Sequence, residues 1–222
     1  MPKVAVLHTS LVFLNVEPML LNLFEELLPD VEVVHFVDSD VLATVMREGE
    51  ISSDSAARMR YLAQAADTAH VDAIFSACSS LGPAVDSARE HVSCPVVKVD
   101  EAMARTAVDR GGRVGVLATV PTTLGPTMDL IRSAAADAGK SVEVVDRLAE
   151  GAFARLMAGD ADEHDAMVRD AAIELASDID VLVLAQASMT RLAPTLAEAT
   201  GLEVLTSPRL GVLDLKRVLG GG

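Results

Sequence analysis

Tryptophan is absent, tyrosine occurs once (Tyr61), and aromatics make up only 3% of the 222 residues. Little material is left for stacking nucleobases. Basic residues are scarce too: 18 Lys and Arg face 33 Asp and Glu, a formal net charge of −15. Such a surface repels phosphate backbones and anionic lipid, so neither nucleic acid nor membrane is expected as a partner. No apolar run reaches about 18 residues, the length that reads as a spanning helix. The two cysteines, Cys78 and Cys94, lack CxxC spacing, which argues against a disulfide framework or a zinc site. Five scattered histidines offer no paired metal-ligand spacing, so no metal is expected. Gly-x-Gly-x-x-Gly, Walker and Gly-x-Ser-x-Gly motifs are missing, leaving nucleotide and serine-hydrolase chemistry without a motif. Met1-Pro2-Lys3 runs straight into a strand-like segment with no basic-then-apolar leader, so a cytoplasmic location is expected.

What is present is an alternation of short β-branched runs with longer Ala- and Leu-rich stretches, the pattern of parallel sheets covered by helices. Strands are expected at Lys3–Leu7, Glu32–Val37, Val71–Phe75, Pro95–Val99, Arg113–Leu117, Ser141–Val145, Asp180–Leu184 and Leu202–Leu205. Helices are expected at Pro18–Leu28, Ser52–Ala69, Gly82–His91, Glu101–Arg110, Pro126–Ala138, Glu163–Ala176, Ala193–Thr200 and Val212–Leu219.

The two halves of this pattern resemble each other. Lys3-Val4-Ala5-Val6-Leu7-His8-Thr9 answers Arg113-Val114-Gly115-Val116-Leu117-Ala118-Thr119, and Val31-Glu32-Val33-Val34 answers Val142-Glu143-Val144-Val145. Ala77-Cys78-Ser79-Ser80 answers Ala185-Gln186-Ala187-Ser188. A repeat this long implies duplicated lobes rather than a solenoid. The fold class expected is therefore α/β with two pseudo-symmetric lobes, each a short parallel sheet flanked by helices. The first lobe would span 1–110 and the second 111–208, with a terminal helix over 209–222 packing back on the first. Ligands of open parallel sheets bind beyond the carboxyl ends of strands, so the active site is expected in a cleft between the lobes.

Cys78 follows a buried-strand run and precedes small hydroxyl residues entering a helix, a setting that favours a thiolate. It is the candidate base, acid or nucleophile. Ser79 and Ser80 are readable as helix caps or as anion donors, and so are Thr119, Thr122 and Thr123 ahead of a Pro-started helix. Thr9, Ser10 and Asn15 occupy the matching place in the first half. Cys94, ahead of Pro95 at a strand start, is expected to be structural. Asp160, Asp162, Glu163, His164 and Asp165 read as the acidic start of a helix, with His164 and His70 at the surface.

Ala77-Cys78-Ser79-Ser80, Val114 to Thr119 with its following threonines, and Leu184 to Met189 together resemble the aspartate/glutamate/hydantoin racemase superfamily, across nearly the whole chain. The resemblance implies two pseudo-symmetric α/β lobes, a homodimer, no cofactor, and a small carboxylic-acid substrate. Members typically carry one cysteine per lobe, on opposite faces of the substrate's α-carbon. Cys78 matches the first, while Gln186 stands at the second. Neutral glutamine has no usable proton-transfer pKa, so ordinary two-base racemisation is not expected. A role orienting substrate is implied for Gln186, and carboxylate binding for Ser79, Ser80, Thr119, Thr122 and Ser188. The activity expected is isomerisation beside a carboxylate through a single thiol. The alternatives are a cofactor-free decarboxylase, a lyase, and a non-enzymatic binder of a small dicarboxylate.

Overall fold

The computed structural model describes residues 1–11, 14 and 18–221. The chain forms two compact units, one of residues 1–99 and 208–222, the other of residues 100–207.

The first unit is a four-stranded parallel sheet of β1 (Lys3–His8), β2 (Glu32–Val37), β3 (Ala73–Ser76) and β4 (Val96–Lys98), in the order β2-β1-β3-β4. Strand side chains alternate faces, and both faces are apolar. Ala5, Leu7 and Ile74 pack with Val41 and Val45 of α2 (Val41–Glu48), Met59 and Ala63 of α3 (Ser53–Thr68), and Ala84 and Val85 of α4 (Gly82–Arg89). On the other face Val4, Val6, Phe75, Val97 and Val99 meet Leu20 and Phe24 of α1 (Met19–Leu27) and Val212 and Leu215 of α10 (Ser207–Leu219). Burial on both faces is what makes the central strands β1 and β3 largely hydrophobic runs.

The second unit repeats this plan with β5 (Arg113–Ala118), β6 (Glu143–Leu148), β7 (Val181–Leu184) and β8 (Glu203–Thr206), again parallel, in the order β6-β5-β7-β8. Its core joins Leu117, Leu182 and Leu184 to Ala152 of α7 (Ala152–Met157), Val168 and Leu175 of α8 (Ala161–Ala176) and Leu196 of α9 (Ala193–Thr200). α5 (Glu101–Arg110) and α6 (Pro121–Asp137) pack against β7 and β5. Ladder registers repeat as well: Lys3 pairs with Glu32 as Arg113 pairs with Glu143, and Ile74 pairs with Val96 as Leu182 pairs with Val204. The internal repeat read from the sequence is therefore a repeat of strand pairing, residue for residue.

The structure corrects several expectations. The boundary falls at Val99 rather than 110, because Met103, Ala104, Ala107 and Val108 of α5 are buried within the second unit. The helix after β4 thus belongs to the second unit, and the helix after β8 to the first. α6 begins at Pro121 and carries Pro126 inside it, so Thr122 and Thr123 lie in the first helical turn rather than ahead of it. A proline needs no N–H at a helix start, and Pro121 rather than Pro126 uses that position. α2 and α7 were not anticipated. His164 is fully buried, its Nδ1 2.8 Å from Asp165 Oδ1. The acidic run does start α8, with the Asp160 side chain accepting from the Glu163 N–H. No described helix is long and apolar enough to cross a membrane.

Candidate active site

In the first unit the polar residues of interest collect at the carboxyl end of the sheet. The Ala77 N–H donates to Leu7 O at 3.1 Å, tying the exit of β3 to that of β1. Cys78 follows, half-buried, on the face of the sheet covered by α3 and α4. Ser79 is half-buried and Ser80 buried. Their hydroxyls do not cap α4: its N-cap is Leu81, with no side-chain cap bond, and Pro83 stands in the first turn. Instead the Ser79 carbonyl accepts from the Gly82 N–H at 3.0 Å, forming a turn. Thr9, at the exit of β1, is buried and Ser10 half-buried, while Asn15 lies outside the described residues.

Lys98 ends β4 in register with Ser76 and is only 4% exposed. Its Nζ donates to Asp86 Oδ2 at 2.7 Å, and a Cβ placed on Gly82 would lie 3.8 Å from that nitrogen. A buried ammonium thus stands by the amino end of α4, the helix entered from the Cys78 loop. It was not singled out from the sequence, although a lysine closing the apolar run Val96-Val97 was a visible signal. His8 ends β1, with Nε2 3.0 Å from His35 Nδ1, and is 1% exposed. Burial, and next the neighbouring His35 charge, pull its pKa down to about 4. Asp38, just beyond β2, is pushed up by burial, but hydrogen bonds from Arg58 and the backbone of Asp40 and Val41 outweigh this and hold it below the ordinary range.

Cys94 stands at the amino end of β4, the opposite end of the sheet from Cys78. Its thiol is pushed up to about 11, first by burial and then by Asp67. A cysteine held protonated in this way is chemically quiet.

In the second unit the corresponding exits belong to β5 and β7. The Ala185 N–H donates to Leu117 O at 2.9 Å, so Thr119 and Gln186, each two residues beyond a paired leucine, emerge side by side. The Gln186 Oε1 accepts three hydrogen bonds: from the Thr119 N–H at 2.6 Å, the Val120 N–H at 3.1 Å and the Thr119 hydroxyl at 3.2 Å. Thr119 is 4% exposed, and both of its donors are spent on this oxygen. The Thr123 hydroxyl donates to Val120 O at 2.8 Å, closing the first turn of α6. Thr122 Oγ1 is buried without a partner among the described residues. Ser188 is half-buried in a 3-10 turn over Ala187–Leu192. The sequence brought Gln186 and Thr119 to one loop cluster but did not foresee that they bond to each other.

Parallel four-stranded sheets, each with polar loops at its carboxyl end, define a duplicated α/β protein of the kind that binds ligands at strand exits. The sequence matches the Asp/Glu/Hydantoin racemase family model over residues 16–215, and the chain belongs to that family. Its structure is similar to glutamate racemase isoform RacE1 from Bacillus anthracis, with a TM-score of 0.74 at 17% identity over 99% of this chain and 82% of that one. Allantoin racemase from Klebsiella pneumoniae gives 0.69 at 18% identity, covering 100% and 89%. A Gly74Cys mutant of arylmalonate decarboxylase gives 0.64 at 16% identity, covering 100% and 94%. No curated protein matches the sequence.

Proposed function

We propose that the protein is a cofactor-independent isomerase acting at the carbon beside a carboxylate of a small acid, with Cys78 as the proton-moving group. Family membership supports the reaction class. The observation that carries the residue assignment is the position of Cys78: half-buried, at the carboxyl end of β3, just ahead of a helix whose N-cap residue, Leu81, makes no side-chain cap bond. The first amides of that helix and the hydroxyls of Ser79 and Ser80 are suited to a substrate carboxylate, with Thr9 and Ser10 on the neighbouring strand exit. Asn15 belongs to the same proposal by its place in the sequence.

Removing an α-proton moves an electron pair onto the carboxylate, and preorganised donors stabilise the charge that develops. Each such donor is worth about 3 kcal/mol. The proton passes from carbon to sulfur, and water returns one to the carbon. Gln186 has no usable proton-transfer pKa, so racemisation that needs a second acid or base is slow. In the second unit Thr122 and Ser188 are proposed to contact substrate, while Thr119 acts through its bonds to Gln186. A second reading, cofactor-free decarboxylation, is favoured by the lone thiol among the proposed site residues, since replacing carbon dioxide by hydrogen requires one proton delivered and none removed.

The test is incubation with a panel of 2-amino, 2-hydroxy, malonic and dicarboxylic acids in deuterium oxide, read by NMR. The expected result is deuterium at the α-carbon of at least one acid, with the rate falling at least about a hundredfold in Cys78→Ala. Carbon dioxide release without exchange selects decarboxylation. Binding without turnover, indifferent to alkylation of Cys78, overturns the enzymatic reading.

A further inference from the structure

Two backbone N–H groups and one hydroxyl converge on a single point at the β5–α6 turn, 2.6 to 3.2 Å from the oxygen that occupies it. Backbone amides only donate, so whatever fills that point must accept. The same fact settles which way the Gln186 amide faces: its oxygen lies inward, and its nitrogen, which only donates, lies on the other side of the planar group. Three donors on one oxygen is the geometry of an oxyanion hole. Here the occupant is the chain's own side chain, supplied from a segment 67 residues away in sequence.

We infer that Gln186 is a built-in occupant of an anion cradle formed by Thr119 and Val120, and that it determines specificity by keeping external carboxylates out of that cradle. It offers a ligand only its two Nε2 hydrogens. A group lying against Gln186 must therefore be a hydrogen-bond acceptor, a carboxylate or carbonyl oxygen, and must be bound by the side-chain amide rather than by the main chain of the β5–α6 turn. The glutamine is a positioning residue for that turn: without it, three donors lose their partner at once. The inference rests on second-unit geometry alone and stands independently of the role proposed for Cys78.

Two consequences separate this from a purely structural role. Shortening the side chain empties the cradle without removing any donor, so a small carboxylate gains a site. Replacement by glutamate puts a carboxylate oxygen among three donors, which favours its ionised form and lowers its pKa. A side chain that merely packed would show neither effect.

The experiment is a titration of 15N-labelled protein with sodium formate, following the backbone amides of Thr119 and Val120. In Gln186→Ala and Gln186→Gly both amides are expected to shift saturably, while in the wild-type chain they do not respond. In Gln186→Glu the new carboxyl is expected to titrate at least about one unit below an ordinary glutamate. The inference is overturned if folded Ala and Gly variants leave both amides unmoved by formate, or if the wild-type chain saturates as the variants do. A carboxyl in Gln186→Glu that titrates at or above the ordinary value overturns it independently, and this readout survives should the shortened variants fail to fold.

Discussion

Acidification should destabilise the folded chain through His8, by an amount that the structure sets. His8 is 1% exposed, its Nε2 faces His35 Nδ1 at 3.0 Å, and its Nδ1 is buried without a partner among the described residues. Folding lowers its pKa from 6.5 to about 4. Between those values the unfolded chain binds a proton that the folded chain refuses, so stability falls as pH drops below about 6.5 and the loss is complete below about 4. Linkage puts the cost at about 2 kcal/mol by pH 5 and about 3 kcal/mol in full. His35 is also lowered by burial and adds in the same direction. The carboxylate of Asp38, held below its ordinary value, contributes stability that is lost only as pH falls further. The assay is urea denaturation of the wild type and His8→Gln from about pH 7.5 down to about 4.5. Loss of the His35 contact in the variant gives a constant offset, whereas the His8 titration gives a slope. The wild type should lose about 2 kcal/mol more than the variant between about pH 7.5 and 5. A stability difference that stays flat across this range would refute the reasoning.

Cys94, with its thiol at about 11, should react with iodoacetamide at about pH 8 roughly a hundredfold more slowly than a free cysteine peptide; peptide mass spectrometry checks this, and rapid Cys94 modification contradicts it. Gly211 in α10 has no room for a side chain, since a Cβ there would lie 2.5 Å from Val99 O and 2.9 Å from Val99 Cα. Gly211→Ala should cost about 1 to 3 kcal/mol in thermal or urea unfolding, because a backbone neighbour cannot rotate aside; an unchanged midpoint speaks against this packing. Gln186→Leu leaves three donors facing hydrocarbon and should destabilise by at least about 1 to 3 kcal/mol, whereas Gln186→Glu keeps the acceptor and should unfold close to wild type. Equal midpoints for the two variants would remove the cradle from the account.

The central strands β1, β3, β5 and β7 were legible because they are buried almost throughout and so appear as apolar runs; all eight expected segments overlap the observed β1 to β8. The repeat was legible for the same reason, since equal ladder registers demand equal spacing of those runs. α2 was missed because Val41–Glu48 is short and buries only Val41 and Val45, too few positions to establish a helical period. The start of α6 was misplaced because two prolines competed for one role, and nothing local says that Pro126 is tolerated within the helix. The inward turn of the Gln186 oxygen depends on partners 66 and 67 residues away, which no window of the chain displays. The Cys78 loop was easier to find, since strand, thiol, serines and helix start lie within seven residues, Ser76 to Gly82.

The exchange of α5 and α10 has a consequence for synthesis. Residues 1–99 emerge from the ribosome first, with Phe24 of α1 already against Phe75, yet the part of that face that packs on Val212 and Leu215 waits for α10. The earliest sheet to be made is thus the last to be finished, and a nascent chain stalled after β8 would display a sticky apolar strip of the sort that chaperones recognise.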